Sequence, residues 1–319
     1  MSRAPPPPAC LAVAWAAMAA RAMRSASRKA RVTEAVATGP LGALSHDELG
    51  VIVDGIADPL QPVVAVALSS TCLGLRTPLQ AALEVLMERH ARAVALCRKV
   101  EMSCAWLRDA EKLNWGYKGL TAADMATLAM ILCTNGLPRL KALDLYGKGF
   151  GDVGVQALCE GLGRGDASLT WLGLGDNNFG PAGAEALATA LRRGAMPKLE
   201  VLLLQGNPIG SQGMAVLAAP LRKLPALEQL VLDRCKVGNE GVASLVANLG
   251  KDDFKALERL YLGSNNITDA GMTTLAAALD AGGLPKLTYH THFLIANPAS
   301  TAAVQAVQDA LAKRPQCLQ

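Results

Sequence analysis

Aromatic side chains are scarce in this 319-residue chain: four Trp, four Tyr and four Phe, 4% of the whole. Its core must therefore be filled by Leu, Ala and Val, and the 51% apolar content supplies them. That content excludes a disordered chain. The eight cysteines (Cys10, Cys72, Cys97, Cys104, Cys133, Cys159, Cys235 and Cys317) form no Cys-x-x-Cys pair. Their spacing implies neither a disulfide framework nor a zinc site. Cysteines scattered in this way behave as small buried hydrophobes, which favours a reducing, cytoplasmic setting. No apolar run reaches the ~18–20 residues of a membrane span. No Gly-x-x-x-x-Gly-Lys-(Ser/Thr) loop is present, which excludes the usual nucleotide-hydrolysing module from these residues. With only four histidines, no Ser/His/Asp or Cys/His set can be assembled, and no enzyme, cofactor or metal is expected. His290 and His292 are close enough to suggest a metal pair, but no third ligand accompanies them. Acid is missing from residues 1–33, which hold Arg3, Arg21, Arg24, Arg28, Lys29 and Arg31, against a net charge of +4 for the whole chain. The rest is close to neutral, so it offers no basic face for nucleic acid and no acidic face for a basic partner.

Three segments follow one another. Residues 1–43 combine Pro5–Pro8, an apolar run from Ala9 to Ala20 and an Arg/Ser/Ala stretch. A secretory signal, an organelle transit peptide through residues 1–33 and a disordered tail all fit that pattern. Residues 44–104 read as helical. Leu44, Leu49, Ile52 and Ile56 recur at helical spacing behind the N-cap candidate Ser45, and Asp58-Pro59 and Gln61-Pro62 break the helix. A second apolar segment runs from Val63 to Cys72, and a longer amphipathic helix with Leu79, Leu83, Leu86, Met87 and His90 follows Thr77-Pro78. The Leu44-Ser-His-Asp-Glu-Leu49 start and the Cys72-Leu-Gly-Leu75-Arg76 end resemble an F-box. Ser45 stands where that family has Pro, and Leu73 where it has a basic residue. The resemblance implies a ubiquitin-ligase adaptor docking on residues 44–78. The alternative is a helical cap that seals the end of a repeat array.

Residues 105–319 carry an internal repeat with the frame Leu-x-x-Leu-x-Leu-x-x-Asn-x-(Ile/Phe/Val). It reads Leu169, Leu172, Leu174, Asn177, Phe179 and recurs as Leu199, Leu202, Leu204, Asn207, Ile209. A third full copy is Leu257, Leu260, Leu262, Asn265, Ile267. Cys235 and Lys148 take the Asn position in two further copies, and Lys118 takes it in a degenerate first one. Asn297 takes it in the last, where two extra residues shift the register, so Asn positions fall at 118, 148, 177, 207, 235, 265 and 297. Steps of 28–32 residues leave room for a helix after each strand, expected at 152–162, 181–191, 211–221, 239–249 and 269–279. A Gly recurring at 154, 183, 213, 241 and 271 suits close packing of each helix start. This pattern resembles the ribonuclease-inhibitor class of leucine-rich repeats. The fold it implies is an α/β leucine-rich-repeat solenoid, a horseshoe of about seven strand–helix units with an N-terminal helical cap.

In such a repeat the Leu positions point inward, and the residues flanking them face a concave strand surface. Alternation then places Asp144, Tyr146, Trp171, Leu203, Gln205, Gln229, Asp233, Arg259, Tyr261 and Phe293 on that surface, as the candidate protein-binding residues. Four of the twelve aromatics fall among them, and Trp, Tyr and Arg dominate interface energies. Strands also favour aromatics for packing alone. Trp171, beside Gly173 and Gly175, is the expected anchor. The resemblance implies a scaffold that binds another protein. Two alternatives stand: the substrate-recognition subunit of an F-box-type ubiquitin ligase, and an activator of a small GTPase, a group that uses this repeat class. Asn266-Ile-Thr268 is a glycosylation pattern that matters only in a secreted chain, and Arg164-Gly-Asp166 is a short match of no expected consequence.

Overall fold

The computed structural model describes residues 58–71, 73–134, 136–147, 149–162, 168–288 and 294–313. The expected helix of residues 44–56, the opening of the F-box-like stretch, Cys72 and the expected site residue Phe293 lie outside the described residues. The chain divides into two compact units, one holding residues up to Arg98 together with 103–105, the other Lys99–Met102 and everything from Trp106.

The first unit contains α1 (Val63–Thr71) and most of α2 (Leu73–Lys99). A turn precedes α1, where the Gln61 amide donates to the Asp58 carbonyl (3.0 Å) and the Leu60 amide to Asp58 Oδ1 (2.8 Å). It is the break that Asp58-Pro59 leads one to expect. Helix α2 departs from expectation, because it begins at Leu73 and runs straight through Pro78. Proline there costs one backbone bond, to the carbonyl of Gly74. The 21 residues that follow Pro78 in α2 carry enough helical bonds to absorb that loss. Leu83, Leu86, Ala93, Leu96 and Cys97 form its buried stripe, at helical spacing. His90 Nδ1 lies 2.7 Å from the Pro59 carbonyl oxygen and ties α2 to the turn that precedes α1.

Helix α3 (Cys104–Asp109) leads into the repeats. These run β1 (Lys112–Asn114), α4 (Ala122–Cys133), β2 (Ala142–Asp144), α5 (Gly151–Leu162), β3 (Trp171–Gly173), α6 (Pro181–Arg192), β4 (Val201–Leu203), α7 (Gly210–Arg222), β5 (Gln229–Val231), α8 (Gly238–Val246), β6 (Arg259–Tyr261), α9 (Asp269–Asp280) and α10 (Thr301–Ala312). The six strands form one open parallel sheet in chain order. Parallel neighbours joined through helices satisfy the crossover rule of α/β units. Each strand is three residues long, and its middle residue is a leucine no more than 2% exposed: Leu113, Leu143, Leu172, Leu202, Leu230 and Leu260. A side chain of each following Leu or Trp (Trp115, Leu145, Leu174, Leu204, Leu232, Leu262) returns to the same core. Successive helices α4 to α9 pack on one another, and α10 on α9.

Three of the buried polar side chains, Asn177, Asn207 and Asn265, stitch one repeat to the next. Asn207 Nδ2 donates to the Leu174 and Leu204 carbonyls (both 2.8 Å), and its Oδ1 accepts from the Asn177 amide (2.9 Å). Asn265 and Asn297 repeat the pattern: Asn297 Oδ1 accepts from the Asn265 and Ile267 amides, and Nδ2 donates to the Leu262 and Leu294 carbonyls. Asn297 therefore occupies the seventh rung, as the two-residue insertion requires. A buried amide that satisfies an acceptor above, an acceptor below and a donor is what a stack of tight turns needs. Cys235 substitutes in part, donating through Sγ to the Leu204 carbonyl (3.2 Å). A second ladder caps helices. Asp152 of α5 accepts from the Gly180 and Gly183 amides at the start of α6 (both 2.7 Å). Asn239 accepts from Thr268 ahead of α9, and Asp269 from Ser300 ahead of α10. The starts of α6, α9 and α10 are thus each capped by a side chain of the helix before.

The recurring glycines meet the side chain four residues earlier: a Cβ on Gly213 would lie 2.5 Å from Ile209 Cγ2, and one on Gly241 2.6 Å from Val237 Cγ1. Close packing at the helix start therefore requires them. Helix α8 ends at Val246, three residues short of the expected 249, because Ala247 turns extended. Arg222 of α7 takes over its open carbonyls, donating Nη1 to Ala247 (2.7 Å), Nε to Leu245 (3.1 Å) and Nη2 to Ser244. Among the described residues no helix is long and apolar enough to cross a membrane.

Candidate protein-binding face

Because the middle leucine of each strand points inward, its two neighbours point to the opposite side. The register aligns them into rows. One row is Lys112, Ala142, Trp171, Val201, Gln229 and Arg259. The next is Asn114, Asp144, Gly173, Leu203, Val231 and Tyr261. Backbone bonds carry the pairing beyond the strands, from Leu145 to Gly173, Gly147 to Gly175, Asp176 to Gln205 and Gly206 to Asp233. These align a third row through Tyr146, Gly175, Gln205, Asp233 and Gly263. Nine of the ten expected binding residues therefore stand together on this face, and each of the nine is half-buried.

Gly173 and Gly175 do not leave an empty space beside Trp171. A Cβ on Gly173 would lie 2.7 Å from Trp171 Cη2 and 2.9 Å from Asp144 Oδ1. One on Gly175 would lie 2.7 Å from the Tyr146 ring and 2.9 Å from the Gln205 amide carbon. The two rings lie over the two glycines, so the glycines form the floor on which Trp171 and Tyr146 rest. Tyr146 is held there at its far end too, by its hydroxyl, which donates to Asp176 Oδ2. That bond, with partial burial behind it, pushes the Tyr146 hydroxyl up to about 12, so it stays a neutral donor. Asp144 accepts from the Tyr146 amide (3.0 Å).

Three further residues belong to this surface that strand alternation does not reach: Tyr117, Asp176 and Arg234. Tyr117 is 75% exposed and meets Tyr146 edge-on, with ring centroids 5.1 Å apart at 63°. Arg234 Nη2 lies 3.7 Å from Asp176 Oδ1. All three occupy the position just before the Asn rung, where the backbone is left-handed: φ is 59° at Tyr117, 52° at Asp176 and 56° at Arg234. The same turn in the unit between Asp176 and Arg234 uses Gly206 at φ 73°. Left-handed backbone at Tyr and Arg is unusual, so residue type alone gave no sign of it.

The charges are mixed. Asp144, Asp176 and Asp233 stand among Lys112, Arg234 and Arg259. Burial raises the Asp233 carboxyl, against the pull of the Gly263 amide, which donates to Oδ1 at 2.6 Å. Gln205 Oε1 and Arg259 Nε are buried without a hydrogen-bond partner. No group of three or more His, Cys, Asp or Glu that could hold a metal occurs among the described residues; His290 and His292 lie outside them.

Residues 166–188, 195–218 and 256–276 match the family model described as Leucine Rich repeat. Over 165 residues the chain is 33% identical to the ribonuclease inhibitor of Sus scrofa, covering 52% of this chain and 35% of that protein. It is 33% identical over 127 residues to NACHT, LRR and PYD domains-containing protein 5 of Bos taurus (39% of this chain, 11% of that protein). It is 39% identical over 103 residues to NACHT, LRR and PYD domains-containing protein 12 of Homo sapiens (32% and 9%). The chain thus spans roughly a tenth to a third of the length of these curated relatives. With the repeat frame, the asparagine ladder and the parallel sheet beside them, these matches show that the chain carries leucine-rich repeats in an α/β solenoid, similar over 165 residues to those of a ribonuclease inhibitor.

Proposed function

We propose that this chain is a binding protein, not an enzyme, and that it holds a protein partner on its strand face. The observation that carries this reading is the aromatic floor: Trp171 and Tyr146 lie over Gly173 and Gly175 and remain half-exposed. A preordered ring loses little conformational freedom when a partner covers it, which is why such residues concentrate interface energy. Leucine-rich repeats are in general a protein-binding architecture. Six strands at ~4.8 Å give a face about 24 Å across. Its mixed charges favour recognition by shape over long-range steering. A reducing, cytoplasmic setting fits the free thiols of Cys159 and Cys235, which fill the core as apolar groups.

The test is affinity capture from a native lysate with three proteins: wild type, Trp171→Ala/Tyr261→Ala, and Gln156→Ala/Glu185→Ala on the helix side. A partner held by wild type and the helix-side variant, and bound ~30-fold or more weaker by the strand-face variant, is expected of a central aromatic contact. A partner retained equally by all three refutes the assignment. Capture of a ubiquitin-ligase adaptor through residues 44–78, or stimulated hydrolysis by a small GTPase, would replace this reading with one of its two competitors.

A further inference from the structure

Two cysteines that the sequence scatters are brought together at the end of α2. Cys97 lies in the last turn of that helix and is 2% exposed, and Cys104 is the first residue of α3 and is half-buried. A tight turn joins them, with Glu101 at φ 61°. Their sulfurs stand 3.4 Å apart, in contact but unbonded. Cys133, Cys159 and Cys235, the other cysteines among the described residues, are free as well and have no such neighbour. The pair is not a metal site, since no third ligand joins it among the described residues.

The geometry points to Cys97 and Cys104 as a thiol pair that a small-molecule disulfide such as oxidised glutathione converts to an intramolecular disulfide, closing the α2–α3 turn covalently. A disulfide needs the sulfurs at about 2.0 Å. The remaining approach of about 1.4 Å falls within side-chain rotation and a small shift at the free end of a six-residue helix. The order of events follows from access. Burial, and the neighbouring Cys104, push the Cys97 thiol up to about 12, so the outer sulfur reacts first. The Cys104 thiolate attacks one sulfur of glutathione disulfide; that S–S bond breaks and one glutathione thiolate leaves. Cys97 then gives its proton to solvent base and attacks Cys104 Sγ, which expels the second glutathione. Two electrons pass from the two cysteines to one glutathione disulfide, and the two protons end on two glutathione thiols. The product ties the turn that leads to β1 at Lys112.

Trypsin cuts between the two residues, at Arg98 and Lys99, leaving peptides Ala93–Arg98 and Val100–Arg108. The folded full chain is incubated in glutathione redox buffers, blocked with an alkylating reagent, digested without reduction and weighed. The expected product is the two peptides joined, at their summed mass less two hydrogens, accounting for most of both cysteines at the oxidising end and vanishing with dithiothreitol. In Cys104→Ser the joined species disappears, while Cys133→Ser, outside the pair, retains it. Thermal melts of both variants establish that they are folded. Two results overturn the proposal: both cysteines of the folded wild type still alkylated while Cys133 carries glutathione, or the link forming only in urea, where native proximity plays no part.

Discussion

Replacing Asn207 by alanine takes one rung out of the ladder that joins the repeats. Asn207 is fully buried. Its loss leaves the Asn177 amide, which donates to Oδ1 at 2.9 Å, with no partner from that side chain. A buried orphan of this kind costs about 1–3 kcal/mol. The Leu174 and Leu204 carbonyls each lose a 2.8 Å donor. They keep weaker partners, Asn177 Nδ2 at 3.1 Å and Cys235 Sγ at 3.2 Å, so about 1 kcal/mol each is a fair cost. The total is roughly 3–5 kcal/mol, a large share of the 5–15 kcal/mol that stabilises a domain. Urea unfolding followed by far-UV circular dichroism reads it directly, with Gln212→Ala on the exposed side of α7 as the control expected to stay within about 0.5 kcal/mol. A loss for Asn207→Ala below about 1 kcal/mol at unchanged urea dependence would refute the argument, for it would mean that the freed backbone groups find water or each other.

The same ladder makes a converse prediction: Cys235→Asn restores the missing rung and raises stability by about 1 kcal/mol in the same assay, whereas a destabilised variant would show that the repeat has closed around sulfur. Gly206→Ala forces a left-handed residue, φ 73°, and sets a Cβ against Asp176 Oδ1; the expected loss is about 2–3 kcal/mol. Removing Asp176 as well should recover part of it, and a strictly additive double-mutant cycle would count against the clash. Asp233 has a carboxyl raised by burial, so in the folded state its ionisation opposes folding. That penalty is absent below the ordinary carboxylate value of 3.8 and grows as the pH rises through the raised folded value. Asp233→Asn should therefore be more stable than wild type near pH 7 and nearly equal to it near pH 3, by melts across that window; a gain independent of pH would show that charge is not the cause.

The repeat was legible because its information is local. Alternation of two sets the inward leucines of each strand, and spacing of three and four sets the buried stripe of each helix, so a fixed frame specifies both elements and the side on which Trp171, Gln205 or Arg259 must stand. The shifted register at Asn297 follows from the same frame, since a ladder rung cannot be skipped without leaving buried amides unpaired. What lay beyond the sequence were contacts made by chain geometry rather than by period. Pro78 sits inside α2 because one missing backbone bond is small against a long helix. Helix α8 stops early because Arg222, 22 to 25 residues away, supplies its last carbonyls with donors. Tyr117, Asp176 and Arg234 join the strand face only through left-handed turns that residue type does not announce, and the rings of Trp171 and Tyr146 fill the room that Gly173 and Gly175 open. Residue periodicity by itself determined the repeat and the face it exposes. The tertiary structure alone decided that the Trp171 and Tyr146 rings lie over Gly173 and Gly175, which side chains border that face and that Cys97 meets Cys104, because each depends on where separate turns bring side chains in space.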